Sequence, residues 1–217
     1  MLNLIKWSAL ITEYLAFFVA LWTFRRHTLV FRLFFFDLLL VFINETAGLY
    51  LFHVLHVKND LWTNFVYIVI EVWLMGRAGY LLISNELVKK IIPWLLISFT
   101  GIVAVYAWVK SVYEIPVMCF LVANIVLVGI FLYVMIQLMN TQAISREPLF
   151  WISIGLIIFY GCSIPYWGVF NYLLKNDLTM LQRLVMMLWI INILRYGLTS
   201  VSFLLLPKKT KTEILPI

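Results

Sequence analysis

Several ionisable side chains lie inside stretches of this sequence that are otherwise apolar. Glu13, Glu45 and Glu71 each interrupt such a stretch, and Arg195 interrupts another near the C-terminus. A charged side chain at the centre of a membrane-spanning helix costs about 2.5–3.5 kcal/mol even on the lenient insertion scale. Such residues are therefore expected to pair with one another or to face water. Side chains of these types at such positions are typical of ligand binding or of proton transfer.

The polar side chains of these stretches are predicted to meet at one depth. At a rise of 1.5 Å per residue, the three glutamates lie about 9–15 Å below the outer surface. The predicted pocket, open to the outside, consists of Glu13, Glu45, Glu71, Asn124, Ser163, Asn192 and Arg195. The alternative for any single amide or serine is a hydrogen bond between helices, which contributes about 0.6–2 kcal/mol.

A second pair of charges is predicted nearer the cytoplasmic half of the membrane. Asp37 and Arg77 lie there in helices two and three, and we expect them to form a separate buried pair. Since Arg77 and Arg195 are the two cations available to the three glutamates, at least one carboxyl group is expected to be protonated.

The sequence shows no signature of a catalytic centre. It has no metal-ligand cluster, phosphate-binding loop or nucleophile motif, so no catalytic residue, metal or cofactor is predicted. A retinal protein needs a lysine in its last helix, and none lies between residues 181 and 206.

Composition indicates the elements that position these side chains. Of 217 residues, 65% are hydrophobic and 12% charged, whereas a soluble domain has about 25% charged residues. Apolar runs recur at the length of about 20 residues that crosses a bilayer as a helix. The net charge of +6 lies in short loops and the tail, which is typical of contact with anionic lipids rather than with nucleic acid.

The predicted fold is all-α, a polytopic membrane bundle of seven transmembrane helices. Residues 1–206 form one domain, and residues 207–217 form a short basic cytoplasmic tail. The predicted helices cover residues 7–24, 29–55, 61–84, 91–109, 115–139, 149–174 and 180–206. Lys and Arg are more frequent on the side of the membrane where the C-terminus lies, which predicts a cytoplasmic C-terminus and an outside N-terminus. The predicted location is the inner (plasma) membrane, which the chain crosses several times.

Two short motifs occur twice and predict an internal repeat. Lys-Asn-Asp-Leu occurs at 58–61 and 175–178, and Arg-x-Gly occurs at 77–79 and 195–197. Helices one to three then correspond to helices five to seven, with helix four as a linker. Some transporters use this arrangement.

Three segments resemble a known family. The run Pro148–Gly155, the Asn171–Leu174 segment and the Asn59–Trp62 turn before Glu71 resemble uncharacterised small multi-helix membrane proteins of Bacteroidota. Some members are encoded near sensor histidine kinases. The resemblance implies a membrane location and a role in signalling, and it defines no functional residues.

These observations favour three functions, in descending order. The first is a membrane-embedded ligand-binding or sensory module that contacts the lipid bilayer, an unknown small ligand and a membrane or cytoplasmic signalling partner. Pro165 supports it by predicting a kink in helix six beside the pocket. The second is a small-solute transporter, coupled to protons through Glu45 or Glu71. The third is an intramembrane lipid-modifying enzyme.

Overall fold

The structure, a computed structural model, describes residues 2–51, 65–109, 115–139 and 144–207. This part of the chain contains seven α-helices, two short 3₁₀ turns and no strands, which confirms the all-α prediction. The helices are α1 (Leu2–Thr23), α2 (Leu29–Tyr50), α3 (Tyr67–Leu82), α4 (Glu86–Val109), α5 (Val117–Leu138), α6 (Pro148–Asn176) and α7 (Leu178–Leu204).

Five of these helices are long and apolar enough to cross a membrane: α1 with the turn that follows it, and α4 to α7. Their outer surfaces are apolar, with Ile11 and Val105 both more than half exposed. Large exposed apolar surfaces are uncommon on soluble monomers, so the chain has the surface of a membrane protein. Of the other two helices, α3 is described over only 16 residues, and α2 carries Arg32, Asp37 and Glu45.

Two predicted helix boundaries are wrong. Helix four begins at Glu86 rather than at residue 91, because the Asn85 side chain accepts hydrogen bonds from the backbone N–H groups of Leu87 and Val88. Lys89, read as a loop residue, lies in the first turns and pairs with Glu86 at 3.6 Å. Helix one likewise begins at Leu2 rather than at residue 7. The prediction placed the basic residues outside the helices, but helical geometry extends through them.

Three further predictions fall on residues outside the described part. They are the end of helix two after residue 51, the start of helix three before residue 65, and the first Lys-Asn-Asp-Leu motif. Most of the basic tail also lies beyond the described residues. The second copy of the motif forms the junction of α6 and α7, where the Asp177 carboxylate accepts a hydrogen bond from the Met180 N–H at 2.9 Å.

Six helices pack around a common centre, and α4 lies at the side. The most extensive packing joins α6 to α7, α5 to α6 and α1 to α7, and α2 and α3 complete the group. Helix α4 packs against α3 and α5. The core between the six helices is rich in buried aromatic residues, including Phe34, Phe131 and Phe203.

Helices α6 and α7 approach each other closely at Gly155. A Cβ atom at this position would lie 3.2 Å from the backbone oxygen of Arg195 and 3.4 Å from the Cβ of Leu198. Backbone atoms cannot rotate away as a side chain can. Gly155 therefore sets the spacing of the segment of α7 that carries Arg195.

We expect Gly155→Val to destabilise the protein by about 1–3 kcal/mol, because the valine overpacks the contact with α7. Gly161→Val is the matched control, since a Cβ at Gly161 meets no atom within 4 Å, and its effect should stay within about 0.5 kcal/mol. Unfolding in mixed detergent micelles, followed by circular dichroism, measures both variants. Equal losses of stability would contradict the assignment of a packing role to Gly155.

Candidate ligand-binding site

A cavity of about 190 Å³ lies between the six central helices. All seven side chains of the predicted pocket line it: Glu13 from α1, Glu45 from α2, Glu71 from α3, Asn124 from α5, Ser163 from α6, and Asn192 and Arg195 from α7. No residue of α4 lines it. The structure thus brings the predicted set together, while its role in binding stays a prediction.

Arg195 connects two carboxylates in the inner part of the site. Its Nη2 atom lies 3.3 Å from Oε1 of Glu71 and 3.4 Å from Oδ2 of Asp37. The Tyr160 hydroxyl donates a second hydrogen bond to Oε1 of Glu71 at 2.8 Å. The guanidinium and both carboxylates are buried, so a single positive charge serves two acids.

The predicted pair of Asp37 and Arg77 is wrong. Arg77 is exposed, and its guanidinium lies 4.8 Å from the ring centroid of Tyr80, whereas Asp37 pairs with Arg195. The physical reason is the helical face. Arg77 follows the buried Glu71 by six positions, which turns its side chain about 240° around α3 and away from the core.

Aromatic rings surround the Arg195 guanidinium. The ring centroids of Phe159, Tyr160 and Tyr196 lie 4.4, 5.2 and 5.1 Å from its central carbon. A cation over an aromatic face gains about 2 kcal/mol or more when both are desolvated. These rings and the two carboxylates hold the side chain in place inside the bundle.

The part of the site on the side where α1 begins, which we call the outer part, contains Glu13 and Glu45. The Asn192 amide donates a hydrogen bond to the Glu13 carboxylate. No hydrogen bond or salt bridge to Glu45 is found within the described ranges. A second cavity, of about 140 Å³, shares these three residues with the first and is also lined by Lys6 and Trp189. It extends the site toward the end of the bundle where α1 begins.

Three amide atoms in the wall of the main cavity are buried without a hydrogen-bond partner in the described structure. They are Nδ2 of Asn124, Oδ1 of Asn44 and Oδ1 of Asn192. Buried polar atoms in native proteins are nearly always hydrogen-bonded. A molecule inside the cavity would supply both an acceptor, for Asn124, and donors, for Asn44 and Asn192.

Sequence reasoning left the aromatic residues of the site out of the predicted pocket, among them Tyr67, Phe120 and Trp167. Residues three or four apart lie on one face of a helix. Tyr67 precedes Glu71 by four positions, Phe120 precedes Asn124 by four, and Trp167 follows Ser163 by four. This spacing is the sequence signal that places the three aromatic residues on the same helical faces as the polar residues of the pocket.

Pro165 lies inside α6, and the helix continues through it. Its side chain is exposed, in contrast to the buried Ser163 that lines the cavity. The predicted kink stays a prediction. A second proline, Pro93, lies inside α4 because that helix begins at Glu86, whereas the predicted start at residue 91 placed Pro93 in the first turn.

Known proteins give no further identification of this site. Comparison of the chain with protein-family models, curated proteins and solved structures finds no match. Among the described residues, no group of three or more His, Cys, Asp or Glu side chains is arranged to hold a metal ion. The function must therefore be inferred from the geometry of the cavity.

Proposed function

We propose that the protein is a membrane-embedded ligand-binding or sensory module that holds a small ligand in the main cavity and acts through a partner protein. The observation that carries the proposal is the convergence of polar side chains from six helices on one cavity. Side chains that only join helices would bond to one another and leave little space. This cavity instead has the volume that about six water molecules occupy in the liquid.

The proposed topology has seven membrane spans, an outside N-terminus and a cytoplasmic C-terminus in the plasma membrane. The inward-facing charges of α2 and α3 support their assignment as spans, because Asp37 and Glu71 are buried against the other helices. In this orientation the second cavity leads outward, and a ligand reaches Glu13 and Glu45 from outside.

The arrangement of the helices also supports the transporter alternative. Helices α1–α3 and α5–α7 surround the cavity while α4 lies beside them, as a three-plus-one-plus-three repeat requires. The two Arg-x-Gly motifs count against the repeat, since Arg195 lines the cavity and Arg77 is exposed. Uptake of the retained ligand into proteoliposomes would favour transport.

Native mass spectrometry of protein extracted from its own membranes tests the proposal. We expect the wild-type protein to retain a small molecule that Glu45→Gln and Glu71→Gln each lose. Glu86→Gln is the matched control, because Glu86 lies on the exposed surface of α4 and should leave retention unchanged. Wild-type protein that carries no small molecule, even with a co-purifying partner protein, would contradict the proposed ligand binding and would assign the cavity residues a structural role.

A further inference from the structure

Resting on the proposed function, we infer that the ligand is a small protonated amine. The first observation is an imbalance of charge. Three carboxyl groups, those of Glu13, Glu45 and Glu71, line the main cavity together with one basic side chain, Arg195. Asp37 adds a fourth acid behind it. The site therefore has more acidic than basic groups.

The distribution of the contacts places the missing positive charge in the outer part of the site. Arg195 already contacts Asp37 and Glu71. Glu13 receives a hydrogen bond from the neutral Asn192 amide, and no hydrogen bond or ion pair reaches Glu45 from the described residues. The cation that lines the second cavity, Lys6, is exposed and forms no ion pair with either acid in the described part of the chain. Glu13 is buried and Glu45 half-buried, and a charge removed from water without a partner is destabilising. An ammonium group between Glu13 and Glu45 would compensate both.

The cavity wall also carries aromatic rings suited to a cation. Phe120 and Trp167 both line the cavity, and their rings stack with centroids 4.4 Å apart and planes 8° apart. Aromatic surfaces attract organic cations through the ring quadrupole. A small anion would be repelled by the carboxylates. The Arg195 guanidinium, which could bind an anion, is already paired with Asp37 and Glu71.

The unpartnered amide atoms indicate which functional groups accompany the charge. Oδ1 of Asn44 and Oδ1 of Asn192 are acceptors without a donor among the described residues, and a primary ammonium donates hydrogen bonds whereas a quaternary ammonium does not. Nδ2 of Asn124, on a side chain that is only 6% exposed, needs an acceptor. The ligand class is thus a primary amine that also bears an oxygen acceptor, such as an amino alcohol or the ethanolamine head group of a lipid.

Thermal unfolding of the purified protein with three probes of similar size tests the charge requirement. Ethanolamine hydrochloride is the protonated amine, ethylene glycol its neutral analogue and sodium glycolate an anionic one, all at millimolar concentration and matched ionic strength. We expect ethanolamine alone to raise the unfolding midpoint, in a saturable manner, by about 2–4 °C or more. An equal response to glycol or glycolate, or no response to ethanolamine, would overturn the inference.

Glu13→Gln and Glu45→Gln separate binding from folding. Each glutamine keeps the size of the side chain and removes an acid that is buried (Glu13) or half-buried (Glu45), so the unliganded variants should unfold at or above the wild-type midpoint. Both should lose the ethanolamine response, whereas Glu86→Gln should keep it. Folded variants that still respond to ethanolamine would contradict the inference.

Mass spectrometry identifies the source of the amine and separates the two proposals. A retained ethanolamine phospholipid assigns the ammonium to a lipid head group, and a lighter basic species assigns it to a free amine. A retained neutral or acidic molecule would overturn the amine inference and leave the proposed function standing. The absence of both a retained molecule and a thermal shift would contradict both proposals.

Discussion

Arg195→Met is expected to destabilise the protein by about 3–5 kcal/mol, the cost of removing one partner from a buried ion pair. The guanidinium is the only positive group that contacts Asp37 and Glu71 among the residues described, at 3.4 and 3.3 Å. Without it, two carboxyl groups face each other inside the bundle. Unfolding by dodecyl sulfate in mixed micelles, followed by circular dichroism, measures the loss.

Arg77→Met is the control for this prediction. Arg77 is exposed, and exposed charges contribute about 0–1 kcal/mol, so the substitution should have a small effect. A combined variant with Arg195→Met, Asp37→Asn and Glu71→Gln should regain much of the lost stability, because it removes the acids that Arg195 neutralises. A triple variant less stable than Arg195→Met alone would contradict the assigned pairing.

Ser163→Leu is expected to lower ligand retention at least about tenfold, equivalent to 1.4 kcal/mol of binding free energy, with little loss of stability. Ser163 lines the cavity, so the larger side chain has space to enter and occupies the volume that the ligand needs. Its hydroxyl donates a hydrogen bond to the Phe159 carbonyl of its own helix. The substitution therefore breaks no hydrogen bond between helices. Native mass spectrometry and thermal unfolding measure retention and stability in the same sample.

Ser153→Leu is the matched control on the same helix. Ser153 is fully buried and does not line the cavity, so leucine should overpack the core at a cost of about 1–3 kcal/mol. The folded fraction should still retain the ligand. The two variants should therefore have opposite effects: Ser163→Leu loses the ligand and keeps its stability, whereas Ser153→Leu loses stability and keeps the ligand. The same loss of stability in both would mean that the cavity is not free space.

The identity of the polar cluster was predictable from the sequence, because a charge in an apolar stretch is expensive wherever it occurs. Glu13, Glu71 and Arg195 could thus be assigned to the interior by residue type alone, and the structure places all three on one cavity. Their common level along the helices could be predicted as well, because the helical rise per residue is constant, while their depth in a membrane stays a prediction. The seven-helix count agrees with the described helices, while the number of membrane crossings stays a prediction.

The partners within the cluster were not predictable from depth. Asp37 and Arg77 were assigned to one level, but the rotation of α3 directs Arg77 outward and leaves Arg195 to pair with Asp37. The aromatic wall was also missed, because aromatic residues are common throughout this chain and only helical spacing distinguishes Trp167. The start of α4 depended on a local cap at Asn85.

The most direct test of the account is a cryo-electron microscopy structure of the protein, extracted from its own membranes and enlarged by a bound antibody fragment. We predict continuous density larger than a water molecule in the main cavity, in contact with Glu13, Asn124 and Phe120. A cavity closed by packed side chains, or one that contains only separate water molecules, would contradict the claim that this membrane protein binds a small ligand there.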